Sequence, residues 1–278
     1  MMTVSNPAIS RSGMLGRMQA LWAYRNFVTS MVARELRARY MGSLLGGLWA
    51  LVTPLVLILI YMLVFSEVMR GKLADGSGRP LDYGLFLCTG ILIWGYFAEV
   101  VTQCQGVFLE YSNLLKKMSF PRITLPVIVL LSASFNFLLV AILFVALLLI
   151  LGRFPGIAMV GFVPLLIVQQ GLAVGLGILL GTLNVFFRDI GQAWTVALTL
   201  WFWLTPIVYH IGIIPEQYRS LVTLNPLTPL FLGYQQIVLT GSWPDWNSVL
   251  YPAVAAFLIL TAGLVVFRRL SGEMVDEL

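Results

Sequence analysis

An acid inside an apolar run is the first residue to question in a chain that is 59% hydrophobic and only 10% charged. There is one, Glu99. A charge at the bilayer centre costs at least about 2.5 kcal/mol, so such a group faces protein or water. Glu99 lies three quarters of the way along its run, counted from the outer end, within reach of cytoplasmic arginines or water. A structural ion pair, with Arg188 and Asp189 as the nearby charges, is therefore favoured over a coupling-ion site. General acid and base catalysis needs a partnered pair or an activated nucleophile, and a diphosphate-handling membrane transferase would show Asp clusters for a metal; the sequence has neither pattern. His210 stands alone without a second His or a Cys at ligand spacing, which speaks against a metal site. Cys88 and Cys104 are 16 residues apart in one apolar stretch, about 24 Å along a helix, too far to bridge within one chain. The only Gly-Lys pair, Gly71-Lys72, lacks the upstream glycine and the following Ser or Thr of a phosphate-binding loop. A carrier coupled to protons or sodium would show intramembrane acids and matching repeats. Uphill transport by this chain would thus take its energy from another polypeptide.

Aromatic rings are the second chemically useful group. Trp194 and Tyr209 suit an interfacial belt, but Trp201 and Trp203 sit nearer the middle of their run, as do Trp94, Tyr96 and Phe97 in an earlier one. Flat apolar faces with a polar edge are surfaces on which sugar rings stack, so a sugar-conducting path and plain packing or lipid contact both remain open for these five. Positions 201 and 203 differ by about 200° on a helix and cannot share one path.

The elements that must position these residues are membrane helices. Six apolar runs, 44–66, 84–105, 123–151, 159–183, 192–209 and 248–267, are long enough to span and do not alternate as barrel strands would. The expected fold is an all-α integral membrane protein of six transmembrane helices. Its parts are a cytoplasmic N-terminal segment 1–43, a transmembrane domain 44–267 and a cytoplasmic tail 268–278. No cleavable signal pattern precedes the first run. Twelve Lys and Arg fall on one side and five on the other, which places both termini in the cytoplasm. The net charge of +5 is then a topology signal, and nucleic-acid binding is disfavoured because no polar domain could hold a duplex.

Three connecting segments stand out. Leu21, Tyr24, Val28, Met31 and Val32 recur at helical spacing opposite Asn26, Thr29, Ser30 and Arg37, which reads as an amphipathic helix at the cytoplasmic interface, either a basic lipid anchor or a docking surface. After the second run, Leu114, Leu115, Met118 and Phe120 beside Lys116 and Lys117 are more apolar than a solvated loop requires and suggest a short helical knob that something covers. The stretch 221–239 is apolar but broken by Pro226 and Pro229, which fits short or re-entrant outer helices. In the fourth run Gly171, Gly175, Gly177 and Gly181 give two small-xxx-small spacings for close helix approach.

The segment from Arg34 through Tyr40, Ser43, Gly46 and Trp49, followed by Pro54 and Tyr61 to Phe65, resembles the first-span approach of ABC-2 type export permeases. Lys116-Lys117 with Phe120-Pro121-Arg122 and Pro126, Asn184 to Asp189, Thr205-Pro206 with Tyr209 and Pro215, and Asn225-Pro226 with Gly241 follow in the family's order. The nearest branch is the permeases for O-antigen, capsule or teichoic acid. The resemblance implies a homodimeric half-transporter beneath which two copies of a separate ABC ATPase bind, with ATP and Mg held there and no cofactor in this chain. It implies that the N-terminal helix, including Arg34 and Arg37, and the knob at Leu114, Leu115, Lys116, Lys117, Met118 and Phe120 touch the ATPase. The cargo would be a polysaccharide on a polyprenyl diphosphate lipid, exported across the cytoplasmic (inner) membrane. A teichoic acid or drug permease and a non-transporting scaffold are the alternatives. The outer loop 67–82 is longer than the family pattern requires.

Overall fold

The computed structural model describes residues 24–40, 48–63, 80–117 and 120–277. The expected class holds: the chain is all-helical, and the described residues contain no strand. The helices are α1 (Arg25–Tyr40), α2 (Trp49–Leu63), α3 (Pro80–Glu110), α4 (Ser112–Lys117), α5 (Thr124–Ile150), α6 (Phe162–Phe186), α7 (Asp189–Leu204), α8 (Glu216–Thr223), α9 (Leu227–Thr240), α10 (Trp246–Leu270) and α11 (Met274–Glu277).

Four of the expected spans are long and apolar enough to cross a bilayer: Leu81–Glu110, Thr124–Ile150, Gly156–Phe186, which includes a 3-10 turn before α6, and Trp246–Leu270. The other two runs, 44–66 and 192–209, give shorter helices. α2 has 15 described residues and α7 has 16, about 22–24 Å at 1.5 Å per residue, against a hydrocarbon core of about 30 Å. α7 stops early for a local reason. Thr205 is extended, at φ −100° and ψ 136°, because the ring of Pro206 disfavours helical geometry in the residue before it. Pro121 keeps the knob from running into α5, whose first turn is secured by Thr124 Oγ1 donating to the Pro121 carbonyl at 2.7 Å.

α3 and α6 form the centre. Phe86, Phe97 and Phe108 along α3 are fully buried, and α6 packs between α3 and α10. The glycines of α6 divide their work. A Cβ on Gly175 would stand 2.7 Å from the Leu260 backbone of α10, and one on Gly177 would collide with Cys104 of α3. Both small-xxx-small faces are therefore spent inside this chain. Cys88 and Cys104 are free and buried, as their separation required.

The proline-broken outer stretch folds as two short helices. α8 lies exposed, whereas α9 is buried along Leu227, Leu230, Phe231, Tyr234 and Ile237. α9 starts level with the Trp94–Phe231 ring pair and ends at Gly241, whose φ of +65° turns the chain back beside Pro155. Asp245 then caps α10 by accepting from Asn247 N at 3.1 Å. Residues 221–239 thus form short helices, as expected.

Candidate functional site

Two of the segments singled out by sequence meet at one end of the bundle. α1 lies against α5, burying Val28 and Met31 while Thr29, Ser30 and Arg37 stay exposed. Leu21 lies outside the described residues. Glu35 of this helix accepts from Ser132 Oγ of α5 at 2.8 Å, which anchors the helix against α5. Phe27 rests on Phe120, ring centroids 5.3 Å apart, which joins α1 to the stretch just beyond the knob.

Between α1 and α4 a cleft of about 600 Å³ opens, lined by Arg34, Glu35 and Ala38 on one side and by Glu110, Tyr111, Asn113, Leu114 and Lys117 on the other. Its charges alternate. Arg34 and Tyr111 both line it. Burial pushes that phenol above its usual range, Glu35 and Glu110 add to the shift, and Arg34 opposes it. Tyr111 therefore stays neutral and able to donate throughout the physiological range. Lys116 and Lys117 are exposed, and Leu114 is half-buried on the cleft wall. Leu115 points the other way: it is 7% exposed and belongs to the core. This leucine's apolar character is thus explained by the chain's own packing, and no outside surface is needed to cover it. Met118 lies outside the described residues. α11 closes the same end, with Met274 buried against α4 and α6.

The aromatic candidates form a second group. Trp94, Tyr96 and Phe97 are 8%, 7% and 0% exposed. Trp94 meets Phe97, Phe202 and Phe231, Phe97 meets Trp201 edge to face at 5.6 Å, and Trp201 meets Trp194 at 6.1 Å. Tyr96 stacks on Phe137 at 4.4 Å. Trp201 and Trp203 take different faces, as their spacing demands: Trp201 joins this cluster, and Trp203 is 60% exposed. Of the five rings only Trp203 presents a face outward.

Two asparagines that the sequence offered only as motif residues hold this region. Asn225 Oδ1 accepts from Trp201 Nε1 at 2.9 Å and from Leu227 N at 3.0 Å, while its Nδ2 donates to Thr205 Oγ1 at 2.8 Å. It ties the end of α7 to the start of α9. Asn184 does the same at the other end of α7, accepting from Gly191 N at 3.1 Å and donating to the Gln105 carbonyl of α3 at 3.4 Å. An Asn before Pro226 and one four residues before Arg188 were visible signals, but the partners that tie them to other helices, Trp201, Thr205 and Gln105, lie 20 or more residues away.

Glu99 sits on α3, where its Oε1 accepts from Gln103 Nε2 at 2.9 Å and from Asn136 Nδ2 of α5 at 3.1 Å. Arg188 and Asp189 are exposed at the start of α7, and among the described residues neither forms an ion pair. The ion pairs that do form include Arg153 with Asp82 at 2.7 Å, which links the turn after α5 to the start of α3. Among the described residues no group of His, Cys, Asp and Glu could hold a metal ion.

The order of these elements is that of a known family. Residues 26–239 match the model of the ABC-2 type transporter, from the first turn of α1 to the end of α9. The chain belongs to this family. Among ABC-2 relatives, the O-antigen export system permease protein RfbA of Myxococcus xanthus is 32% identical over 95% of this chain and 100% of its own length. The protein of the same description from Klebsiella pneumoniae is 30% identical over 88% of this chain and 92% of its own. The polysialic acid transport protein KpsM of Escherichia coli is 22% identical over 90% and 95%. The ABC-2 match therefore includes both the cleft and the aromatic cluster, and the protein is a multi-pass membrane transporter subunit.

Proposed function

We propose that this chain is the membrane-spanning permease of an ATP-driven exporter that carries a polyprenyl-diphosphate-linked polysaccharide of O-antigen type across the cytoplasmic membrane. Relatives described as O-antigen export permeases, matched over nearly their whole length, support the cargo class. In this reading α2, α3, α5, α6, α7 and α10 make six crossings, both termini face the cytoplasm, and α9 is re-entrant. Two copies form the path. Hydrolysis, with its ATP and Mg, belongs to two copies of a separate ATPase, and the permease itself performs no chemistry.

The observation that carries the reading is the cleft. The two cytoplasmic surfaces with docking character, α1 and the knob, line one space of about 600 Å³ walled by Arg34, Lys117, Glu35 and Glu110. A socket with both charge signs suits a projecting element of a soluble partner better than a lipid headgroup layer, which offers mainly negative charge. Because α1 is pinned to α5 through Glu35 and Ser132, a push on the socket passes directly to a long membrane helix. Glu99 and the charges of Arg188 and Asp189 are assigned structural roles, and Trp203 is the ring placed to meet the cargo path.

Co-reconstitution tests this. With the ATPase present in vesicles, ATP turnover is expected to respond to lipid-linked glycan. Turnover indifferent to that lipid, with the complex intact, would instead fit a scaffold.

A further inference from the structure

A second cavity, of about 440 Å³, lies among α3, α5 and α6, toward the 151–155 end of the bundle and far from the cleft. α5 contributes Leu138, Ala141 and Phe144, and the segment facing it contributes Met159, Phe162 and Leu166. Ile93 and Tyr96 of α3 close the inner side. The α5–α6 hairpin is joined by a tight turn, with Gly152 and Gly156 at φ +66° and +63°, yet its two arms leave this space between them.

The walls say what can fill it. Three hydroxyls reach the cavity and each is already engaged. Ser134 Oγ lies 2.6 Å from Tyr96 OH and 2.6 Å from the Leu130 carbonyl, and Thr89 Oγ1 donates to the Leu85 carbonyl at 2.7 Å. A bound water needs about two to four polar partners, and a sugar ring needs more; this space offers neither a foothold. It is about three times the ~150 Å³ of an apolar cavity that takes up benzene, and left empty its lining would forfeit dispersion contacts. The space also opens sideways. Leu138 lines it while remaining 55% exposed, and Ile142 and Val163 beside it are 56% exposed. That apolar rim is continuous with the outward surface of two helices long enough to cross the bilayer, where only hydrocarbon is available.

We propose that this groove holds one acyl chain of a bilayer glycerophospholipid, inserted laterally between α5 and α6. The volume suits a single chain of ordinary length, whereas a polyprenyl chain is much longer and carries a methyl branch on every isoprene unit. Seated there, the acyl chain keeps the hairpin splayed beside the Tyr96–Phe137 stack. The inference requires only that the chain cross a membrane and stands apart from the identity of the exported cargo.

The test uses the full chain in phosphatidylethanolamine vesicles doped with a phospholipid whose acyl chain bears a photoactivatable diazirine. Cross-links are expected to concentrate on peptides 134–144 and 159–166 above those at Phe257 and Leu258, which face outward on α10. Excess unlabelled phospholipid should suppress the groove signal selectively. Filling the space from either side, by Ala141→Trp or by Met159→Trp, should abolish that signal and leave the α10 signal in place. Labelling spread evenly over both surfaces, with no selective competition, overturns the proposal even if both variants fail to fold. Competition by polyprenyl phosphate but not by phospholipid overturns the choice of occupant, and a groove signal that appears only when the protein is diluted to monomers in excess lipid assigns the groove to self-association instead.

Discussion

Asn225 illustrates how one polar residue can fix a membrane segment. It engages the Trp201 indole, the Thr205 hydroxyl and the Leu227 amide at 2.8–3.0 Å, all where water is scarce. Asn225→Ala leaves these groups unpaired, at about 1–3 kcal/mol for each buried one. A clear fall in the thermal midpoint of the detergent-purified protein is expected, and an unchanged midpoint would mean that the network contributes nothing. Trp201 and Trp203 separate by the same logic. Trp201→Leu removes a ring wedged between Phe97 and Trp194 and should destabilise the protein, whereas Trp203→Leu alters a 60% exposed face and should leave stability intact. If Trp203 meets the cargo, its replacement lowers glycan export at normal protein level; normal export removes it from the path. The two cysteines are each 0% exposed, so a maleimide is expected to label the folded protein at neither site and the denatured protein at both.

At the scale of elements, the glycines of α6 give a graded test. Gly175→Ala drives a Cβ to 2.7 Å from the α10 backbone, while Gly171→Ala meets only the Ala256 Cβ at an ordinary 3.9 Å. Overpacking of that kind costs about 1–3 kcal/mol or more, so yield and thermal midpoint should drop for Gly175→Ala and hold for Gly171→Ala. Equal behaviour of the two would show that α6 and α10 pack less closely than described. The knob calls for a different choice of residue. Leu115→Asp would bury a charge in the core and report on folding. Arg34→Glu with Lys117→Glu instead reverses the charge on both walls of the cleft while the helices stay packed. Loss of ATPase co-purification with the permease still monodisperse is expected, and undiminished co-purification would remove the cleft from coupling. The sequence exposed both segments, one through helical periodicity and the other through excess apolar content. It could not show which of the adjacent Leu114 and Leu115 turns fully into the core, because the α3–α4 break at Tyr111 sets the knob's rotation.

For the whole molecule, α2 and α7 are among the helices that carry exposed apolar faces. Leu51, Leu55, Leu59, Val196, Leu200 and Trp203 all lie exposed. In a two-fold dimer such faces can wall a path that one copy cannot enclose. The detergent-solubilised complex is expected to have the mass of two permeases with two ATPases, and a complex with a single permease would contradict that.

Composition alone determined that this chain lives in a membrane, because 59% hydrophobic residues with 10% charge leave too little polar surface for a water-facing domain, and the long, non-alternating apolar runs determined that it is helical. Ordered motifs determined its family, and Pro206 marked where α7 stops, since both are local in sequence. Only the tertiary structure decided that α1 and the knob share a cleft, that Trp94 and Phe97 are packing residues, that Glu99 accepts from an amide of α5, and that α9 rises from mid-bundle to the 151–155 turn. Each of these depends on how distant helices are rotated against one another. In a chain whose helices are apolar on nearly every side, hydrophobic periodicity does not encode that rotation; close packing at glycines and a few buried polar bonds do.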